Sequence, residues 1–281
     1  MDFTDAGHRD VFRKFFRSPK LFKVEKNAEH RIYKSNNCKV THLSVKNTAG
    51  AKGTGRRIGD YYTIETEKIG SLNTGIGAGE SLAEILNTIL ARYRQKRICI
   101  CGLGNPDCIS DSLGPATIKM LPAHLLETHE PKVKCNFSKV VTVVPNVLGQ
   151  TNLVTEEIVA GLASVAKADC VILIDSILTE DISSLCKNIQ VTTARGSISH
   201  FAVKSDWEMV DVPIIFIGIP TEILMREQTT ADTLTVSNIQ NVISNGATTL
   251  AYALIRACYP ELSQGLCKRL LLPREALSLL L

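Results

Sequence analysis

The sequence lacks any run of about 18 apolar residues, the length that a membrane-spanning helix needs. Its start, Met1-Asp2-Phe3-Thr4-Asp5, carries acids where a secretory signal has basic residues, and no apolar segment follows. The net charge is only +4, an excess too small to indicate a nucleic-acid-binding protein. We therefore expect a cytoplasmic protein with no membrane partner and no direct nucleic-acid partner.

Several motifs of known chemistry are also absent. There is no H-E-x-x-H zinc motif and no Ser-His-Asp grouping. Gly102-Leu103-Gly104 lacks the third glycine of a dinucleotide fingerprint, and Arg56-Arg57 stands where a phosphate-binding loop needs Lys followed by Ser or Thr. Cys99 and Cys101 form a C-x-C pair without a second pair at zinc-finger spacing, which favours reduced structural thiols. The sequence thus predicts no cofactor and no metal.

What the sequence does contain is an alternation of apolar, strand-like runs with helical segments. The chain has 281 residues, 44% of them hydrophobic and 21% charged, enough for one sizeable core. The alternation predicts an α/β fold with a mostly parallel or mixed sheet, flanked by helices on both faces. The predicted strands are 97–102, 139–144, 170–175, 188–193 and 213–218, and the predicted helices are 80–94, 113–126, 155–166 and about 235–257.

The N-terminal part has a different pattern. Residues 1–37 are basic and irregular, and we interpret them as an arm and a candidate pro-segment. Residues 40–45 and 61–66 alternate with a period near two on either side of a turn-rich segment, which predicts a small β-hairpin. We therefore divide the chain into this arm and a single α/β domain over 38–281 that includes the hairpin.

Two acids follow apolar runs. Asp175 ends the run that starts at Cys170, and Asp111 lies between strand 97–102 and a helix that opens near Leu113. Taken singly, Asp111 fits a helix N-cap and Asp175 fits a strand-terminal acceptor of backbone hydrogen bonds. If the two strands share a sheet, however, both side chains can reach one crevice at its carboxyl edge. Close carboxylates share a proton and supply a general acid and a general base, so the pair predicts hydrolysis by activated water.

Polar loops at the same predicted edge are candidates for substrate binding. Asn105 follows strand 97–102, and strand 139–144 is followed by Gly149, Gln150 and Thr151. These residues can line a cleft or donate amides to an oxyanion. His200, in the loop after strand 188–193, is the histidine we expect nearest the site.

Together these segments resemble the germination protease family, aspartate-dependent endopeptidases that degrade small acid-soluble spore proteins. The resemblance covers about residues 55–225 in consistent order. It implies that Asp111 and Asp175 are the catalytic acids, on a hydrogenase-maturation-protease or phosphorylase-like fold. The matching segments are Arg57–Glu65, Gly102–Asn105, Asp111–Pro115, Val144–Thr151 with Glu156 and Ile158, Val171–Ser176, Asn188–Gln190 and Val212–Thr221.

The resemblance also implies small acid-soluble spore proteins as the protein substrate, a location inside the spore or forespore, and a homotetrameric zymogen that loses its N-terminal segment. Two departures leave alternatives open. The family's Thr-Asp-Leu-Ala processing segment has only Phe3-Thr4-Asp5-Ala6 as a partial match, and residues 192–200 replace a longer glycine-rich, basic loop. One alternative is a metal-dependent maturation protease that uses Asp111 or Asp175 with His200. The other is a catalytically inactive relative that acts in binding or assembly.

Overall fold

One mixed sheet organises the chain. The computed structural model describes residues 27–66, 69, 72–121, 135–194, 207–226 and 231–271. The strands are β1 (Ala28–Ser35), β2 (Cys38–Val45), β3 (Gly59–Glu65), β4 (Arg97–Gly102), β5 (Lys139–Val143), β6 (Cys170–Thr179), β7 (Asn188–Thr192), β8 (Ile214–Arg226) and β9 (Ala231–Leu234). Their order is β1-β2-β3-β7-β8-β6-β4-β5, with β9 paired to β8.

Five of the described helices lie between strands, and two follow the last strand. They are α1 (Thr48–Thr54), α2 (Leu72–Leu90), α3 (Leu113–Met120), α4 (Leu148–Thr151), α5 (Thr155–Ala166), α6 (Ile239–Cys258) and α7 (Gln264–Leu270), with short 3-10 turns at Ala91–Tyr93 and Ile109–Asp111. Within the described residues, no helix is long and apolar enough to cross a membrane.

The sheet has a parallel half and an antiparallel half. Strands β5, β4, β6 and β8 run parallel to their neighbours in that half. Strands β1, β2, β3 and β7 extend the sheet as antiparallel neighbours, and β7 joins the two halves by pairing with β8. The predicted mixed α/β sheet is therefore confirmed.

Strand β6 shows how the layers are built. Its side chains alternate between two cores: Ile172 and Ile174 pack toward α2 and α6, whereas Val171 and Leu173 pack toward α5 and Trp207. All ten residues of β6 are buried, which explains the continuous apolar run that marks it in the sequence. Helices thus cover both faces of the sheet, as predicted.

Several predicted boundaries are wrong. Strand β6 continues to Thr179 and β8 continues to Arg226, well beyond the predicted ends at 175 and 218. Pro220 lies inside β8, which the sequence argues against because proline has no N–H for the ladder. The structure accommodates it where the pairing with β6 shifts register between Ile177 and Leu178. Helix α2 also begins at Leu72, before the predicted start at residue 80.

The N-terminal part differs from its prediction in one respect. Strands β2 and β3 pair antiparallel, which confirms the hairpin, although their connection contains the short helix α1. Strand β1 falls within the segment 1–37 that we interpreted as irregular, and that interpretation is wrong for Ala28–Ser35, which pair along their whole length with β2. Residues 1–26 of the predicted arm lie outside the described residues.

Candidate active site

The loop after β4 carries Asp111. It turns at Gly104, whose φ of +107° is a backbone conformation that glycine adopts without strain. A Cβ at this position would lie 2.0 Å from the backbone oxygen of Asp111, so the loop folds back tightly on itself. The backbone N–H of Asn105 then donates a 2.8 Å hydrogen bond to Oδ2 of Asp111. The carboxylate is therefore held by the loop backbone and is half-buried.

The start of α3 brings this loop to the neighbouring strand. The N–H of Leu103 donates to the carbonyl of Ile174 at 2.8 Å, and a Cβ on Gly114 would come within 2.5 Å of the same carbonyl. Because Ile174 directly precedes Asp175 in β6, the loop that carries Asp111 lies beside the part of β6 that carries Asp175. The N-cap alternative for Asp111 is wrong, since the N-cap of α3 is Ser112.

Asp175 lies inside β6 and is 7% exposed. Burial raises the pKa of its carboxyl to about 8, although a hydrogen bond from the backbone N–H of Ser176 acts in the opposite direction. This carboxyl therefore keeps its proton at neutral pH. The interpretation of Asp175 as a strand-terminal acid is wrong, because β6 runs four residues further.

A narrow pocket adjoins the Asp175 side chain. Asp175 of β6 and Gln190 of β7 both pair with Gly218 of β8, so their side chains stand on the same face of the sheet, and the residue between them on β8 has no side chain. Thr192, Phe216 and Ile177 complete most of the lining. The volume of the pocket is about 10 Å³, which is about the space that one water molecule needs.

Gln190 and Thr192 were not among the predicted site residues. The signal that could have identified them is the pattern of β7, where Asn188, Gln190 and Thr192 alternate with Ile189 and Val191. Period-two alternation predicts one polar face, yet every residue of this strand is buried. Buried polar side chains on the strand beside a candidate site are candidates for that site.

A second contact missed from the sequence lies next to Asp111. The hydroxyl of Ser110 donates to Oε1 of Glu222, which is 9% exposed in β8. This hydrogen bond attaches the turn at Ile109–Asp111 to the extended end of β8. No sequence signal links two residues that lie 112 positions apart.

The predicted substrate-binding residues are only partly brought together. Nε2 of Gln150 donates to Oδ1 of Asn105 at 3.3 Å and to Oδ2 of Asp107 at 2.9 Å, so α4 contacts the Asp111 loop. Gly149 is exposed beside Gln150, with nothing within 4 Å of an added Cβ. The hydroxyl of Thr151 donates within its own turn, to the carbonyl of Val147 at 3.2 Å. His200 lies outside the described residues.

The cysteines of β4 are buried together. Their Sγ atoms, on Cys99 and Cys101, lie 3.6 Å apart on one face of the strand, as the C-x-C spacing predicts. In the part of the chain that the structure describes, no group of three or more His, Cys, Asp or Glu side chains is arranged to hold a metal ion.

Comparison with known proteins identifies the family. The family model described as germination protease matches residues 22–243, which is most of the chain. The chain belongs to the germination protease family. Three curated members show how far it has diverged. It is 29% identical to the germination protease of Geobacillus sp. (strain WCH70) over 207 residues, which are 70% of this chain and 55% of that protein.

The other two family members are similarly distant. Identity is 30% over 193 residues with the germination protease of Caldanaerobacter subterraneus subsp. tengcongensis, covering 65% of this chain and 59% of the relative. Identity is 28% over 211 residues with the germination protease of Clostridium tetani, and the alignment covers 70% of this chain and 65% of that relative. This family member thus spans between one half and two thirds of the length of these relatives.

One solved structure also aligns with the chain. It is the crystal structure of a [NiFe] hydrogenase maturation protease, HycI, from Thermococcus kodakarensis KOD1. The TM-score is 0.37 at 17% sequence identity, over 61% of this chain and 99% of that chain.

Proposed function

We propose that this member of the germination protease family is an endopeptidase that uses Asp111 and Asp175 to activate water. The observation that supports this most is the buried carboxyl of Asp175, which keeps its proton at neutral pH because burial raises its pKa to about 8. The Asp111 loop adds a second carboxyl at the same level of the sheet. One protonated and one proton-accepting carboxyl can together activate water and hydrolyse a peptide bond without a metal.

The two acids divide the reaction between them. Asp111 takes a proton from a water molecule as its oxygen attacks the peptide carbonyl carbon, while Asp175 donates its proton to the carbonyl oxygen. The tetrahedral intermediate then collapses: the hydroxyl proton returns to Asp175, the proton on Asp111 passes to the amide nitrogen, and the C–N bond breaks. A carboxylic acid and an amine leave, and both acids regain their starting states. The net reaction consumes one water.

The substrates we propose are small acid-soluble spore proteins. Membership of the germination protease family and the ordered motifs in the sequence support this class of substrate. Family resemblance likewise supports a homotetramer, a spore-interior location and removal of an N-terminal pro-segment. Among the predicted contacts, Asn105 and Gln150 lie together and are the best candidates to bind the peptide near Asp111.

The test is cleavage of purified small acid-soluble spore protein by the wild type and by Asp111→Asn and Asp175→Asn. We expect both variants to lose at least about a thousandfold in kcat while keeping the fold, as removal of an acid–base group commonly does. The matched control is Asp169→Asn. Its carboxylate accepts a hydrogen bond from the N–H of Arg97 at the opposite end of β4, so it should cleave normally.

Each competing function has its own outcome in this experiment. Full activity in Asp175→Asn would overturn the two-aspartate mechanism. Cleavage that a chelator abolishes and a divalent cation restores would favour the metal-dependent alternative. A folded wild-type protein that cleaves no spore protein would favour the inactive relative.

A further inference from the structure

We propose that Gln190 and Thr192 hold one water molecule in the pocket above Gly218, and that this water orients the carboxyl of Asp175. The inference deepens the proposed function and rests on it for its catalytic consequence. Gln190 and Thr192 would be positioning residues that act on Asp175 through the water. The water site itself follows from hydrogen-bonding rules and does not depend on the activity of the protein.

The orientation of the Gln190 amide follows from a chain of hydrogen bonds. Nδ2 of Asn188 donates to the carbonyl of Ser184 at 3.2 Å, and a carbonyl can only accept. Oδ1 of Asn188 is therefore the acceptor on its other side, and Nε2 of Gln190 donates to it at 2.9 Å. The amide of Gln190 has one possible orientation, with Oε1 directed away from Asn188.

Oε1 of Gln190 is a buried hydrogen-bond acceptor. Gln190 is 6% exposed, and its Oε1 has no hydrogen-bond partner within the described part of the chain. A buried polar atom without a partner costs about 1–3 kcal/mol, so native proteins supply one. Because Gln190 lines the pocket, a water there is within reach of this oxygen.

Glycine at position 218 leaves room on this face of the sheet, where the Ile177 side chain packs over it beside the pocket. Neighbouring strands lie about 4.8 Å apart, so Asp175 on β6 and Gln190 on β7 are separated by about 10 Å across β8. A side chain at position 218 would stand between them, and a Cβ there would come within 2.7 Å of the Ile177 side chain. The volume of about 10 Å³ is about the space that one water molecule needs.

The groups around the pocket determine how the water donates and accepts. Oγ1 of Thr192 accepts a 3.1 Å hydrogen bond from the N–H of Ala194, so its own hydrogen is available for the water oxygen. Oε1 of Gln190 takes one hydrogen of the water, because it can only accept. The second hydrogen of the water is then donated to a carboxyl oxygen of Asp175. Three partners are typical of a buried structural water.

This arrangement selects the oxygen of Asp175 that carries the proton. The carbonyl oxygen is the stronger acceptor of a protonated carboxyl, so it pairs with the water and the proton resides on the other oxygen, outside the pocket. If Asp175 is the acid of the proposed mechanism, the water keeps its proton on the side available to Asp111 and a substrate. The side chains of Gln190 and Thr192 on β7 would thus set the direction of proton donation by Asp175, two strands away.

The test combines crystallography with kinetics on the full-length chain. Gln190→Met removes the acceptor at nearly constant length, Thr192→Val removes the hydroxyl at constant shape, and Thr192→Ser keeps the hydroxyl as the matched control. A high-resolution structure of the wild type should show one water within about 3.2 Å of both Oε1 of Gln190 and the Asp175 carboxyl. The structure of Gln190→Met should lack it.

The kinetic arm separates positioning from folding. We expect Gln190→Met to lose about 10- to 100-fold in kcat with KM little changed, as expected when a catalytic group is misoriented. Thr192→Val should lose about fivefold in kcat, and Thr192→Ser should stay within about twofold of the wild type. Thermal unfolding of each variant identifies losses of kcat that come from instability. If Gln190→Met is unstable, the comparison of Thr192→Val with Thr192→Ser decides whether the hydroxyl that binds the water is needed for a normal kcat.

Two results would overturn the inference: a wild-type pocket without this water, or Gln190→Met with unchanged kcat. If the wild type cleaves no peptide, the proposed function fails. The water site is then still decided by the two crystal structures.

Discussion

The backbone N–H of Asn105 donates a 2.8 Å hydrogen bond to the side chain of Asp111, six residues further along the chain. This bond closes the loop between β4 and α3, so the position of one candidate catalytic acid depends on the backbone path of that loop. The loop is stabilised by its own glycine turn and by Ser110, and Gln150 contacts it from α4. Each of these residues can be substituted while Asp111 and Asp175 themselves are kept.

The first prediction concerns the turn at Gly104. A Gly104→Ala substitution places a Cβ 2.0 Å from the Asp111 carbonyl and imposes a φ of +107° that alanine disfavours. We expect peptidase kcat to fall at least about 100-fold because Asp111 is displaced. Unfolding free energy should fall by about 1–3 kcal/mol. Steady-state kinetics and denaturant unfolding measure the two effects.

The matched control is Gly149→Ala, where an added methyl meets nothing within 4 Å. Its stability should stay within about 0.5 kcal/mol of the wild type. Wild-type activity in Gly104→Ala would mean that the loop geometry does not position the acid.

The second prediction concerns the attachment of the Asp111 turn to β8. Ser110→Ala removes the hydrogen bond to Glu222 and leaves that carboxyl buried without this donor. We expect kcat to fall about fivefold, with about 1 kcal/mol lost in stability. Ser183→Ala is the control, because its hydroxyl donates to Asp181 within its own exposed turn rather than to Glu222. Equal kinetics for both variants would exclude a positioning role for Ser110.

Most of the sheet could be predicted from the sequence because its central strands are buried on both faces. The apolar run Cys170–Ile174 and the alternation in β2 and β3 identify their strands without any tertiary information. The ends of β6 and β8 could not be predicted. Asp175 in β6 and Gly218 and Pro220 in β8 are residue types that usually end a strand, but both strands continue past them, with a register shift near Pro220. Strand β1 was missed because its basic and polar residues form no apolar pattern, and its partner is supplied by β2.

The two candidate acids could be identified from the sequence, but the residues that surround them in the fold could not. Asp111 and Asp175 follow strand-like runs, which is a local signal. The contact of Ser110 with Glu222 and the pocket shared by Asp175 and Gln190 depend on strand order, which a single sequence does not contain. Hydrogen bonds within the loop, such as that of Asn105 with Asp111, depend on a turn that only the folded backbone reveals.

The third prediction concerns substrate binding by Gln150. This exposed side chain joins α4 to Asn105 and Asp107 on the solvent side of the Asp111 loop. We expect Gln150→Ala to raise KM about three- to tenfold with kcat within about twofold, since it removes binding common to ground and transition states. Gln240→Ala, at an exposed position on α6, is the control. A loss confined to kcat would instead assign Gln150 to positioning of the loop.

The fourth prediction uses stability, so it does not require an active enzyme. The pKa of Asp175 is about 8 in the folded protein and about 3.9 in the unfolded chain. Between these values the folded state binds more protons than the unfolded state. The contribution of this group to stability is therefore greatest below about pH 4 and is lost as the pH rises toward 8, by up to about 1.4 kcal/mol per pH unit.

Asp175→Asn removes this titration while keeping the side-chain shape. The unfolding free energy of the variant minus that of the wild type should therefore increase by about 3 kcal/mol between pH 5 and pH 7. Urea unfolding at several pH values measures this difference, and Asp169→Asn shows the background of an Asp-to-Asn change at an exposed site. A difference that stays constant from pH 5 to pH 7 would mean that Asp175 ionises normally in the folded protein. The assignment of Asp175 as the proton-holding acid would then be wrong, whatever the protein cleaves.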